Sequence, residues 1–191
     1  MIAIPRAEAL PQLGGDTVGY VGCSNTSRAI DGYHALGGTR MWEGIHAYGS
    51  GTIEAWSDFE SSYWSAFSRA QARRPAKVFW LQLCAYADTS DATNEAAATA
   101  VIAHIKALAP GAVIYVSPIN GYVAHVCAQL GANGADRLKA LADSLAASGI
   151  AQRGPDVGDI TVAETERDGC HQNAAGKLHN GLGLTLFSPF S

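Results

Sequence analysis

The chain has 191 residues, 48% hydrophobic and 16% charged, with 21 glycines and a formal net charge of −4. An ordinary apolar fraction rules out a disordered chain, and this length can bury a core without metal or disulfide support. The acidic balance argues against a nucleic-acid partner, and no apolar run nears the roughly 18 residues of a membrane span. The only basic cluster, Arg69, Arg73 and Arg74, falls at a predicted helix end, where it would complement the helix dipole. Residues 1–16 form an N-terminal arm with Pro5 and Pro11 and no basic stretch followed by an apolar one. It does not read as a signal peptide, which leaves a cytoplasmic protein or a mature secreted form. Cys23, Cys84, Cys127 and Cys170 are too few for a disulfide scaffold and form no C-x-x-C pair; they are expected as free, buried thiols.

In chain order, Thr17–Cys23 is a short apolar run bracketed by glycine, a first buried strand. Ser57-Asp58-Phe59-Glu60 has capping-box form, and Phe59, Tyr63, Phe67 and Ala70 recur at helical spacing, so a helix is predicted to run to about Ala72 before Pro75. Lys77–Ala85 reads as a strand buried on both faces. Asp91 opens a helix with Val101, Ile102, Ile105 and Leu108 inward, ended by Pro110-Gly111. Ala112–Ser117 is a further strand. Leu138, Leu141, Ala142 and Leu145 mark a helix closed by Gly149. A weak strand is expected near Ile160–Ala163, then a last helix from about Asn173 with Leu178 and Leu182 inward. The alternation predicts a single α/β domain, three-layered and flavodoxin-like, with a central parallel sheet of about five strands.

In such sheets ligands sit beyond the carboxyl ends of the strands. Ser24 falls there, directly after the first strand, as a helix cap or as a nucleophile. Thr26 breaks the G-x-S-x-G elbow, which disfavours an α/β-hydrolase. Asp168 and His171 lie on the same edge, before the last helix. A carboxylate three residues before a histidine in a turn can accept from one ring nitrogen and leave the other free to take a proton from a hydroxyl. His34, His46, His104, His125 and His179 lack paired metal spacing and are expected as surface or hydrogen-bonded histidines. Trp42, Trp56, Tyr48, Tyr86 and Tyr122 lie in or near loops after strands, with core packing the more frequent use of such rings. Asn120, just after the Ala112–Ser117 strand, is a candidate pocket residue.

Read together, Val18–Thr26 with Ser24, Tyr48–Thr52, and Asp168 to Gly176 resemble the first, second and fifth blocks of the SGNH (GDSL-type) hydrolase family, over most of the chain. Cys23 stands where that family usually has Asp. The third block departs further: Gln82 occupies the glycine place and Cys84 the place of an oxyanion-hole asparagine. The resemblance implies a serine ester hydrolase with Ser24 as nucleophile, His171 as base and Asp168 as its orienting carboxylate, without metal or organic cofactor. It further implies an oxyanion hole of the Ser24 and Gly51 amides, with the Gln82 amide as third donor and the Cys84 thiol a poorer one. Asn25, Tyr86, Asn120 and Tyr122 are the candidate substrate-binding residues. The implied substrate is a small or short-chain ester, acetylated carbohydrates among the candidates, and the assembly a monomer or small homo-oligomer. The alternatives are an acyltransferase with the same triad, or a non-catalytic carbohydrate- or ligand-binding module that keeps the fold.

Overall fold

The computed structural model describes residues 17–43 and 51–191; the N-terminal arm, His46 and Tyr48–Ser50 of the second block lie outside the described residues. The elements are β1 (Val18–Val21), α1 (Ser24–Ala35), α2 (Ile53–Ser57), α3 (Ser62–Arg73), β2 (Val78–Leu83), α4 (Asp91–Leu108), β3 (Val113–Pro118), β4 (Tyr122–Val123), α5 (Gly134–Ala147), β5 (Gln152–Arg153), β6 (Ile160–Thr161) and α6 (Ala174–Thr185).

Four parallel strands form the main sheet in the order β1-β2-β3-β5. Outside β1, Met41 makes a single parallel bridge to Val18, with Val18 N donating to Arg40 O at 2.8 Å and Trp42 N to Val18 O at 2.9 Å. Met41 thus fills the flank where a second strand in chain order would lie, and the layout is a flavodoxin-like α/β fold. The strand expected near Ile160 is real but belongs elsewhere: β6 pairs with β4 in a separate two-stranded ribbon. The fourth strand of the main sheet is β5, too short at two residues to leave an apolar signal in the sequence.

Period-two alternation along β2 makes the three layers. Phe79 points to one face, stacking on Phe67 of α3 at 5.4 Å and meeting Trp42 edge-on at 5.8 Å. Trp80 and Gln82 point to the other, towards Phe190 after α6 and Thr26 of α1. On that side α1 and α6 pack closely at two glycines: a Cβ on Gly32 would sit 1.7 Å from Lys177 O, and one on Gly181 would sit 2.3 Å from the Gly32 carbonyl carbon. This crossing decides which face of α6 is inward. Gly176, Asn180, Gly181 and Leu184 are buried, whereas Leu178 and Leu182, expected inward, are 45% and 49% exposed.

Two further expectations are corrected, and a third is extended. Ser57 ends α2 instead of capping a helix; Ser61 caps α3, accepting from Tyr63 N at 3.2 Å, and Phe59 is exposed in the intervening turn. Leu108 is also exposed, because it ends the last turn of α4 beyond the buried Val101, Ile102 and Ile105. Arg74 does more than face a helix end: its guanidinium donates to Met41 O at 3.0 Å and Thr39 O at 2.6 Å, holding the Met41 segment against β1.

The cysteines are not free. Cys23 is bonded to Cys84 and Cys127 to Cys170, with Cα–Cα separations of 6.1 and 4.7 Å. Cys23 and Cys84 follow the adjacent parallel strands β1 and β2, whose register pairs Val21 with Leu81, so they emerge side by side at one sheet edge. Among the described residues no helix is long and apolar enough to cross a membrane.

Candidate active site

Ser24 is the first residue of α1, where the chain turns off β1 into the helix. Cys23, the N-cap residue, donates its N–H to Thr26 Oγ1 at 2.9 Å, and the Thr26 hydroxyl donates in turn to Gln82 Oε1 at 2.7 Å. The turn is therefore fastened to β2 from below, which leaves the Ser24 side chain half-buried at the edge. There Ser24 Oγ lies 2.6 Å from His171 Nε2.

On its other side His171 Nδ1 bonds Asp168 Oδ2. A carboxylate only accepts, so the ring proton sits on Nδ1, and Nε2 carries the lone pair that meets the serine hydroxyl. Asp168 Oδ1 accepts from the backbone N–H groups of Cys170 at 2.9 Å and His171 at 3.0 Å, in a turn closed by Gly169 at φ +67°. Burial pushes the Asp168 carboxyl up, but the hydrogen bonds from the His171 ring and these two amides outweigh it and hold it at about 2.

The turn that carries His171 is clamped to helix α1 by side chains around Ser24. Asn25 Nδ2 donates to Cys170 O at 3.2 Å, and Tyr122 OH donates to the same oxygen at 2.7 Å while accepting from Asn25 at 3.1 Å. Burial pushes the Tyr122 phenol up, against the opposing hydrogen bonds from Asn120 and Asn25, so it remains a donor at neutral pH. One helical turn on, Arg28 donates to Gln172 O and pairs with Glu166 at 3.1 Å, and Gln172 Nε2 returns a bond to Asn25 O at 3.3 Å. Arg28 and Gln172 escape sequence reasoning because they meet across 144 positions; the i, i+1, i+4 spacing of Ser24, Asn25 and Arg28 is the trace that the helix side leaves.

The cleft over Ser24 and His171 has a volume of about 110 Å³, and Gly51, Thr52, Ala85 and Tyr86 line its far wall. Of the expected oxyanion donors, the Ser24 amide has no partner among the described residues and stands at the positive end of α1. Gly51 lines the cleft, but its N–H donates to Gly22 O at 3.1 Å. The Gln82 and Cys84 assignments are corrected. Gln82 is fully buried between Thr26 and Pro118 O and does not line the cleft, and the Cys84 sulfur is bonded to Cys23 and has no proton to donate.

The substrate-binding candidates divide similarly. Tyr86, 53% exposed, lines the cleft rim. Asn25 and Tyr122 are engaged in the clamp. Asn120 is buried in a polar network, accepting from Gln172 Nε2 at 3.2 Å, and lines no part of the cleft. Trp42 and Trp56 are core residues; the Trp56 indole donates to Gly22 O at 3.0 Å, fixing the carbonyl behind the turn that carries Ser24. His34, His104, His125 and His179 all lie outside the Ser24–His171–Asp168 chain of bonds: His34 meets Gly38 O, His125 meets Val123 O, His179 meets Glu164, and His104 stacks on Phe59 at 4.3 Å.

Comparison of the chain with protein-family models, curated proteins and solved structures returned no match.

Proposed function

We propose that this chain is a serine ester hydrolase of SGNH type, acting on small or short-chain esters through an acyl-enzyme. The observation that carries the reading is the continuous chain of bonds from Ser24 Oγ through His171 to Asp168 at the carboxyl edge of the sheet. Ser24 Oγ bonds to the ester carbonyl carbon as its proton passes to His171 Nε2, and Asp168 stabilises the imidazolium. The carbonyl oxygen takes the negative charge beside the Ser24 amide. The bond to the alcohol oxygen then breaks while His171 returns the proton to that oxygen. Water, deprotonated by His171, attacks the acyl-serine, and Ser24 leaves with its proton restored. A cleft of about 110 Å³, well below the roughly 300 Å³ of small ligand pockets, suits a short acyl group.

A second reading, a ligand-binding module that keeps the fold, draws on the engaged Gly51 amide and the absence of a third-block donor. Hydrolysis of p-nitrophenyl acetate separates the two. The wild type should turn the ester over, and Ser24→Ala or His171→Ala should lower kcat by at least about 10³-fold. Equal rates in wild type and both variants contradict the esterase reading.

A further inference from the structure

A second cavity, of about 290 Å³, adjoins the cleft; Ile119, Cys127 and Leu130 line both. It abuts the base-bearing turn. Its wall includes Tyr122, whose hydroxyl bonds Cys170 O, and Cys127, which is bonded to Cys170; the His125 ring lies 3.9 Å from where a Cβ on Gly169 would stand. His171 must protonate the leaving oxygen, so the alcohol part of an ester has to depart on the side of that turn. The acyl group then faces the opposite wall of Gly51, Thr52 and Ala85.

The polar lining of this cavity is mostly acceptor. Asp156 and Asp159 come from the loop before β6 and Asp136 from the first turn of α5. Asp159 and Asp136 have no ion-pair partner among the described residues, and Asp159 lies over Gly121. The cation on the wall, Lys139, is paired with Asp143 at 2.8 Å. These carboxylates are solvent-exposed and only accept hydrogen bonds, so they favour a ligand that donates several, and the apolar Ile119, Leu130 and Ala135 on the same wall suit the carbon skeleton of a ring.

We propose that this cavity holds the alcohol part of the substrate and that this alcohol is a neutral polyhydroxyl group, a sugar, whose hydroxyls donate to Asp136 and Asp159. The inference rests on the esterase reading for the direction of the alcohol, but sugar binding is measured independently of hydrolysis. The test uses the wild-type chain and the variants Asp159→Asn and Asp136→Asn, with retention of fold checked by circular dichroism. Kinetics on three acetates that share one acyl group are compared: a mono-O-acetylated methyl glucoside, acetylcholine and p-nitrophenyl acetate. Saturation-transfer NMR with methyl glucoside reads binding without chemistry. The wild type should prefer the sugar acetate to acetylcholine. Each variant should lower the ratio of kcat/KM for the sugar acetate over p-nitrophenyl acetate by at least about tenfold, with loss of the methyl glucoside signal. If all three esters stay inert while the methyl glucoside signal appears and is lost in the variants, the sugar site stands and the esterase reading falls. An unchanged ratio with no methyl glucoside signal overturns the proposal, as does a shift confined to acetylcholine, which would mark a cation site.

Discussion

Ser24 and His171 stand 147 positions apart and meet because each is the first side chain to emerge from a rigid support: Ser24 at the start of α1, His171 in a turn bracketed by Asp168 and the Asn173 cap. The clamp between these supports is separable from the triad. Tyr122→Phe removes one of the two donors to Cys170 O and leaves Asn25 in place, so the His171 ring should be held less closely to Ser24. We expect kcat on p-nitrophenyl acetate to fall by about tenfold, with KM changed less than kcat. Asp168 gives a pH signature. Its carboxyl is held at about 2 in the folded chain against an ordinary 3.8, so its interactions favour the folded state above 3.8 and are lost as pH falls towards 2. The Tm difference between wild type and Asp168→Asn should therefore be present at pH 5 and above and shrink on acidification from about 4 to 2. The side chain is 43% exposed, so solvent screening keeps the effect small. A gap that widens on acidification contradicts the assignment. Of this site, the meeting of Ser24, His171 and Asp168 was legible because Ser24 directly follows β1 and the other two carry a spaced motif before α6. The clamp was not, since an Asn, an Arg and a Tyr at ordinary positions acquire their role only from carbonyl groups that folding brings to them.

At the scale of elements, long amphipathic stretches were readable and short ones were not. The eighteen residues of α4 and the six of β2 fall close to where their apolar periodicity places them. The pattern misled where backbone contact replaces side-chain burial. Helix α6 turns Gly181 inward because α1 approaches within the space of a missing Cβ, which leaves Leu178 and Leu182 outside. Gly181→Ala should therefore be costly although alanine favours helix, lowering stability by about 1–3 kcal/mol in chemical unfolding. Gly37→Ala is no control, as φ there is +91°. A surface change such as Ala175→Ser is one, since Ala175 is exposed, and it should stay within about 0.5 kcal/mol. Similar effects for the two variants contradict close packing of α1 on α6.

Over the whole molecule, two disulfides bracket the triad. One joins the residue before Ser24 to the residue after β2, the other joins the residue before His171 to the loop that follows β4. Sequence separations of 61 and 43 conceal these pairs, since no local motif links them; for Cys23 and Cys84 it is the parallel register of β1 and β2 that brings them together. The native protein should show no thiol reactive to iodoacetamide, and four should appear after reduction and unfolding. Disulfides persist in oxidising surroundings, and removing either should cost about 2–4 kcal/mol. The acidic, weakly charged chain is thus a small α/β scaffold covalently tied on both sides of the Ser24–His171 pair. The most direct test of the central claim is the intact mass of wild type and Ser24→Ala after treatment with a fluorophosphonate probe. The account predicts one covalent adduct on the wild type, mapped to Ser24, and none on the variant. An unlabelled, folded wild type, or equal labelling of both proteins, would contradict it.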